Sequence, residues 1–508
     1  MIPLTLVDVE DVKTGRKRKG NNNDTKVLTK KSKKEKEDLI EKSGLKGKKY
    51  IEVKKTIRIP VHYDVTKNKM DMLNRLTSRI TYCIRSIGEL VSDVYGDTLI
   101  NGDDDDLNSI LKLNVIEEIV NNSNIIGKTG LSSGYIQQCI NKVIWSFKSH
   151  RKLHKEWEGK IERAEERLYS TRDDKEIEKA EKWLEKLMKR GPSKPFDKSD
   201  CDRKIPCRFD YRTGTVEEGK GKLSKLWINI STLEKYKKID IPLNPSQYHI
   251  NELKDAIVDD FEIIKGGNSG KRKDKNKYYI HVSITKVIEE KSINSVGGID
   301  QGLNKSIAAV LIPLDCKLDN DGSFPREEQL LDSAKRSLLE KYDDIVASLQ
   351  EAEKWDKLRQ LRDKRENVSI YHDWCLARKV ADFTEGSYVA IGNSKFRQSQ
   401  YRGNQMPTLR KRVGKWSYSR QRKMIKLKRV EMGYSTELRD EYGTSRECCQ
   451  CGSKLTRRIW GDGFSYILCH SCGNKIDADI NAGYVIATRC RDDMLKAGMI
   501  RMENPVSR

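Results

Sequence analysis

Four cysteines stand in two tight pairs near the C-terminal end of the sequence, Cys448-x2-Cys451 and Cys469-x2-Cys472, with 17 residues between the pairs. Gly452 and Gly473 follow the pairs and permit tight turns, so four thiolates can converge tetrahedrally on one Zn2+. Such a set leaves no open coordination position, which makes the expected site structural and its metal part of the local folding energy. Cys449 is a spare that competes with Cys448 as ligand. A second chemistry needs carboxylates. Asp300 ends an apolar strand-like run and is followed by Gln301-Gly302-Leu303-Asn304, and Asp477-Ala478-Asp479-Ile480-Asn481-Ala482 comes directly after the cysteines at the start of a helical run. Acids at a helix start also serve as caps. Carboxylates remote in sequence can instead converge on two divalent ions that activate a water and stabilise the leaving 3′ oxygen of a phosphodiester. Hard oxygen ligands suit Mg2+ or Mn2+, which separates this site from the zinc.

Those carboxylates need a sheet to carry them. From Val296 the texture is α/β: a strand through Gly298-Ile299-Asp300, a continuation over Ser306–Ile312, and a short buried-type strand at Tyr388–Ile391. Helical stretches are expected over Glu327–Asn367, Ile370–Thr384 and, strongly basic, Leu409–Glu431. Earlier in the chain, Ile51, Val53, Ile57 and Ile59 alternate as a strand does, and helical periodicity then runs from Met70 to Met188. Two apolar stripes, one from Trp157 to Leu168 and one from Ile177 to Leu187, flank the capping residues of Ser170–Asp174 and read as an αα-hairpin. Short β-rich runs return at Leu226–Ile230, Ile239–Leu243 and Tyr278–Ile284, the last preceded by the flexible basic loop Gly266–Lys273. A helical segment is thus inserted between the first strand and the rest of a β-barrel-like module.

At 508 residues the chain exceeds one core, and its formal charge of +23 repels itself unless a polyanion neutralises it. Nucleic acid is the expected partner, since each phosphate contact releases condensed counterions. There is no run of about 18 apolar residues and no signal-like segment, which argues against membrane spanning and secretion. Twelve cysteines, five of them in one short stretch, point to a metal site in a reducing compartment rather than a disulfide framework. Arg446, Arg457, Arg458, Trp460, Phe464 and Tyr466 surround the cysteines, where they either pack the small ribbon or meet phosphates and bases. Residues 1–49, with Arg16-Lys17-Arg18-Lys19 and Lys30-Lys31-Ser32-Lys33-Lys34, read as a disordered basic leader, either a solvated tail or a nuclear-import or nucleic-acid-binding arm.

Taken together, Gly298-Ile299-Asp300-Gln301-Gly302, the paired cysteine knuckles and Asp477-Ala478-Asp479-Ile480-Asn481-Ala482-Gly483 resemble the superfamily of TnpB, Fanzor and type V CRISPR effectors, over about residues 50–490. The resemblance implies an RNA-guided DNA endonuclease with a bound guide (omega-type) RNA, a double-stranded DNA target and no membrane partner, working as a monomeric ribonucleoprotein. It implies a multidomain α+β fold: leader 1–49, wedge domain 50–65 and 196–290 as a β-barrel, helical recognition lobe 66–195, RuvC (RNase H-like) nuclease domain 291–445 and 476–508, and zinc ribbon 446–475. The family's first catalytic acid carries over to Asp300 and its last to Asp479. The middle acid departs from the usual pattern, because Gly392 stands where Glu is expected. Two alternatives follow: a chain that binds without cutting, or an acid relocated to Glu441, ahead of Thr444-Ser445-x-x-Cys448 as in Fanzors and some related TnpB proteins. The second arrangement makes Asp300, Glu441 and Asp479 the Mg2+ ligands. With the basic leader it favours the Fanzor branch and a nuclear location, the cytoplasm of a prokaryote being the alternative. A transposase sharing the RNase H-like fold is the remaining rival.

Overall fold

The computed structural model describes residues 30–499 apart from 171, 194, 197–203, 220–222, 267–276, 303–305, 315–326, 332–334, 394–415 and 462–463. The first basic run of the leader, most of the loop at Gly266–Lys273, and Leu303-Asn304 lie outside the described residues. Within the stretch read as leader, Lys30–Lys42 forms a helix (α1). The chain divides into two compact units, one of residues 56–254 and 258–284, the other of residues 1–55, 255–257 and 285–508. The whole is a mixed α+β fold.

The first unit is helical and β in sequence blocks. After strand β1 (Tyr50–Pro60) come helices α2 (Lys67–Asn101), α3 (Asp104–Ile110), α4 (Leu113–Asn121), α5 (Ile125–Thr129), α6 (Ser133–Ser170) and α7 (Asp174–Met188). The last two pack on each other as the αα-hairpin that the apolar stripes predict, with Ala164 and Ala180 buried at the seam. Strands β2 (Cys207–Phe209), β3 (Gly214–Glu218), β4 (Leu226–Ser231), β5 (Lys238–Pro242), β6 (Ile257–Lys265) and β7 (Tyr278–Glu289), with the short helix α8 (Gln247–Leu253), complete it. They form two sheets, β1-β7-β6-β2 and β3-β4-β5. The sequence reading has no strand at β6, whose Asp259-Asp260 interrupts the apolar alternation.

The second unit is built on a five-stranded sheet of β8 (Ser295–Asp300), β9 (Ile307–Pro313), β10 (Glu327–Leu331), β11 (Ser387–Gly392) and β12 (Thr436–Arg439), in the order β10-β9-β8-β11-β12. The pairs β10–β9 and β9–β8 are antiparallel; β8–β11 and β11–β12 are parallel. Helices α9 (Lys335–Glu351), α10 (Trp355–Phe383), α11 (Tyr418–Glu431) and α12 (Ala478–Lys496) flank it. Strands β13 (Thr456–Gly461), β14 (Phe464–Cys469) and β15 (Lys475–Asp477) make a small three-stranded sheet.

Both faces of the central sheet are covered, so β8 and β9 are near-continuous apolar runs instead of alternating ones. On one face Ile299, Ile307, Val389 and Ile391 pack with Leu376 and Val380 of α10 and Met424 and Ile425 of α11. On the other, Ala308, Val310 and Ile312 meet Ile480, Tyr484 and Ala487 of α12. Each fully buried Ile or Val contributes about 1.5–3 kcal/mol. Helix α12 lies very close to β8: a Cβ on Gly298 would overlap the Gly483 carbonyl oxygen and come within 2.8 Å of the Ala487 amide nitrogen. Backbone cannot yield as a side-chain end can. Gly298→Ala is therefore expected to cost about 1–3 kcal/mol by overpacking and to push α12 outward, which a urea midpoint measurement reads directly; an unchanged midpoint would contradict this packing.

Two sequence expectations shift here. Glu327–Leu331 is a strand rather than a helix start, because it is an edge strand whose first three residues are exposed and whose alternation is correspondingly faint. The break between the two long helices falls at Ala352–Lys354, with Glu353 in the left-handed region (φ 52°), and not near Asn367–Ile370. Ser369 stays helical and buried, accepting a hydrogen bond from Arg420.

Candidate active site

The sheet and α12 bring two further carboxyl groups into electrostatic reach of Asp300. Asp300 is the last residue of β8, and its parallel neighbour β11 ends at Gly392, one step beyond the Ile391–Ile299 partners. Strand β12 then delivers Glu441 two residues past its end, and α12 presents Asp479 in its first turn. Burial raises the Asp300 pKa well above the usual carboxyl range; the negative charges of Glu441 and Asp479 push it further, while Arg458 and the Gln301 backbone N–H oppose. Asp479 is also pushed up, by burial and then by Asp477, again against Arg458.

The helix start distinguishes the two aspartates of the Asp477-x-Asp479 motif. Asp477 is the N-cap: its Oδ1 accepts from the amides of Asp479 at 2.9 Å and Ile480 at 3.3 Å. Its capping role is thus filled, and Asp479 is left with its carboxylate 3.9 Å from the Arg458 guanidinium.

Glu441 has an unusual relation to Gly392. A Cβ built on Gly392 would fall 2.6 Å from Glu441 Cγ and Cδ, and closer still to Oε1. The carboxylate from β12 fills the volume that a side chain on β11 would need. Arg422 of α11 flanks it: burial lowers the Arg422 pKa and Glu441 raises it back, while Arg422 also donates to Asn393 Oδ1. Nothing in the local sequence around Arg422 marks it for this position.

Polar contacts behind Asp300 tie the sheet to the helices. Gln301 donates to Gln421 Oε1 at 3.3 Å and to the Tyr418 carbonyl at 3.4 Å. Gln421 donates to Asp373 at 3.0 Å, and Asp373, fully buried, also accepts from Lys335 at 2.6 Å, Ser417 at 2.7 Å and Arg420 at 2.7 Å. A buried carboxylate with four donors is well satisfied, and the node pins the start of α11 to α10 and α9.

The cysteine pairs converge as their spacing predicts. Among the described residues, Cys448, Cys451, Cys469 and Cys472 are the one group of His, Cys, Asp or Glu side chains whose ligand atoms all lie within 4.8 Å of one another; the three acids do not meet that spacing. Cys448 and Cys472 Sγ are 3.7 Å apart, and Cys451 and Cys469 Sγ 3.6 Å. A tetrahedron with Zn–S arms of about 2.3 Å has edges of about 3.8 Å, so the donor set fits Zn2+. Gly452 (φ 69°) and Gly473 (φ 73°) supply the left-handed turns, and their amides donate to the carbonyls of Cys448 and Cys469 at 2.9 Å. Cys449, the spare, points elsewhere: it packs against the core under α12, and its amide donates to Asn481. We expect one zinc per chain by native mass spectrometry, lost together with ribbon stability in Cys451→Ser. A chain equally stable with a strong chelator present, and carrying no zinc, would remove the ribbon's metal.

The ribbon's side chains divide between the two roles the sequence left open. Arg458 lies over Trp460 at 4.6 Å and donates to Ser465 at 2.7 Å while facing Asp479. Trp460 is 70% exposed, too open to be packing the ribbon interior.

Residues 418–486, which hold α11, Glu441, the four cysteines and Asp479, match the family described as Cas12f1-like, TNB domain. Among curated proteins no relative matches. Among solved structures, the chain is similar to the AacC2c1–sgRNA binary complex, at 9% identity over 86% of this chain and 89% of that one, with a TM-score of 0.50. It is also matched to a Cas12f1–sgRNA–target DNA complex (16% identity, 85% and 98% of the two chains, TM-score 0.29) and to the mini-RNA-guided endonuclease CRISPR-Cas_phi3 (11%, 95% and 99%, TM-score 0.38). The likeness to the first is one of fold; the other two superpose too loosely to add to it. No helix among the described residues is long and apolar enough to cross a membrane.

Proposed function

We propose that the protein is an RNA-guided DNA endonuclease of the TnpB and Fanzor kind, cutting at an RNase H-like, RuvC-type site formed by Asp300, Glu441 and Asp479. The observation that carries this reading is the exchange of space between Gly392 and Glu441: the acid missing from β11 is replaced from β12 at the same point beside Asp300. The sheet order, two antiparallel pairs followed by two parallel ones, supports an RNase H-like core with Asp300 on its central strand. The TNB match over 418–486 and the guide RNA in the complex of similar fold support the guided part.

The donor set fits hard divalent cations. Three carboxyl groups gathered where burial and mutual repulsion already disfavour the Asp300 charge are a site that a cation stabilises, and a spread wider than one ion's shell suits two ions about 3.5–4 Å apart. Mg2+ or Mn2+ held by Asp300, Glu441 and Asp479 would activate a water and offset charge on the leaving oxygen. The chain's own residues do the rest. Arg458 faces the carboxylates from the ribbon and meets the phosphate that enters beside them. Trp460 offers a face for an unpaired base. The charge of +23 holds the guide, base pairing with the guide reads the target, and the protein reads a short adjacent motif. The relocated acid and the basic leader favour the Fanzor branch, a monomeric ribonucleoprotein and the nucleus.

The test is to sequence RNA that co-purifies with the protein and then to challenge the complex, with Mg2+, with a library of randomised flanks beside the guide-matched sequence. Target-dependent cuts leaving 5′-phosphates are expected. Binding without cuts supports the second reading, a guided DNA-binding regulator, which Gly392 favours; joined products indicate a transposase; absence of co-purifying RNA removes the guided reading.

A further inference from the structure

Glu441 sits on chain with no strand or long helix to hold it. Residues 440–455, between β12 and β13, are turns. Glu441 must nonetheless keep its carboxylate beside β11 and β8, and two side chains of α12 account for how. Asn481, fully buried, uses all of its amide on this segment: Nδ2 donates to the Thr444 carbonyl at 3.3 Å and the Glu447 carbonyl at 2.8 Å, and Oδ1 accepts from the Cys449 amide at 3.0 Å. Arg489, two turns further along the helix, donates to the Tyr442 carbonyl at 3.0 Å and to the Glu447 carboxylate at 2.6 Å. Between these anchors the segment closes on itself, with the Thr444 amide and hydroxyl donating to the Glu441 carbonyl at 3.2 and 3.0 Å and Gly443 turning in the left-handed region (φ 80°). Asn481 and Arg489 both belong to the helix whose first turn carries Asp479.

We propose that Asn481 and Arg489 are positioning residues for Glu441: they lace the 442–449 segment to α12, so that one rigid helix sets the separation of the Glu441 and Asp479 carboxylates. This rests on the reading of Glu441 as a ligand for divalent cations. Three amide hydrogen bonds from a single Asn side chain fix the segment's backbone at Thr444, Glu447 and Cys449 at once. Arg489 fixes it at Tyr442, the residue next to Glu441, where a backbone shift passes directly to the carboxylate. Residues that orient a metal-binding side chain are typically worth about 10–100-fold in affinity.

The test measures Mn2+ affinity by calorimetric titration of the full-length protein and, on the same preparations, the Mg2+ concentration giving half-maximal target cutting. Arg489 is partly exposed and its removal leaves the core intact, so Arg489→Ala is the first variant; Asn481→Ala, buried, is the second, and Glu441→Gln is the reference. We expect Arg489→Ala to weaken Mn2+ binding by about tenfold or more, in the direction of Glu441→Gln, with zinc content unchanged and with part of the affinity restored in Arg489→Lys. Urea midpoints on the same preparations read any loss of stability separately from the loss of affinity. Mn2+ affinity unchanged in Arg489→Ala while Glu441→Gln is weakened overturns the proposal and leaves Glu441 a ligand. Mn2+ affinity unchanged in Glu441→Gln overturns the reading of the site itself, and the positioning with it.

Discussion

Glu441→Gln should abolish target-dependent cutting, lowering its rate by about 10²–10³-fold or more, the scale at which deletion of one preorganised electrostatic contact acts, while guide and target binding persist. The more telling experiment moves the acid. Gly392→Glu alone places a side chain into the volume held by the Glu441 carboxylate, so it should fold poorly and cut no better than background. Glu441→Gly alone leaves that volume empty and the pocket one acid short. Combined, the two changes exchange a carboxylate just past the end of β12 for one on β11 at the same point beside Asp300. The double variant is expected to recover cutting by about tenfold or more over Glu441→Gly, a coupling of about 1.4 kcal/mol, well within what contacting residues show. Full activity in Glu441→Gln would remove Glu441 from the chemistry. A double variant no better than Glu441→Gly would mean that the shared volume is incidental.

How much of this could be read from the chain alone follows from the range of each signal. The four cysteines were legible because each ligand pair is local: two residues separate the thiolates, and a glycine marks each turn. Asp300 at a strand end and Asp479 near a helix start were legible as positions, but which aspartate of Asp477 and Asp479 caps the helix depends on two hydrogen bonds that no spacing encodes. Glu441 was reachable only through resemblance, since a glutamate among Glu437, Arg439 and Asp440 looks like any charged surface strand. Arg422, Arg489 and the Asp373 node could not be found, because their partners lie tens of residues away and depend on how α11 and α12 pack on the sheet. Asn481 was visible as a letter in the motif but not as a clamp. The same logic governs the fold. The αα-hairpin announced itself through unbroken stripes, whereas β10 and β6 carry charged residues that blur a period of two.

Asp300→Asn should give a chain that does not cut and yet, without divalent ions, is harder to unfold. The ionised Asp300 is disfavoured in the folded state by burial, by Glu441 and by Asp479, so the folded protein bears a strain that the unfolded chain does not. A neutral amide of the same shape removes it, as commonly happens where a site sacrifices stability for function. In a metal-free buffer at neutral pH the melting temperature should rise by several degrees, each kcal/mol of relieved repulsion being worth about 2–4 °C in a domain of this order. The pH dependence has a definite sign. Asp300 has a folded pKa above its unfolded one, so between those values the folded state binds the extra proton, and stability rises as pH falls through the folded value toward the unfolded one. The wild-type protein therefore gains on the variant as the medium is acidified, and the gap closes below the unfolded carboxyl range. Adding Mg2+ should close it from the other side, stabilising the wild type and leaving Asp300→Asn nearly unmoved. Equal melting temperatures at neutral pH in chelator, with no response to Mg2+ in either chain, would show that these carboxyl groups neither repel one another nor share a cation.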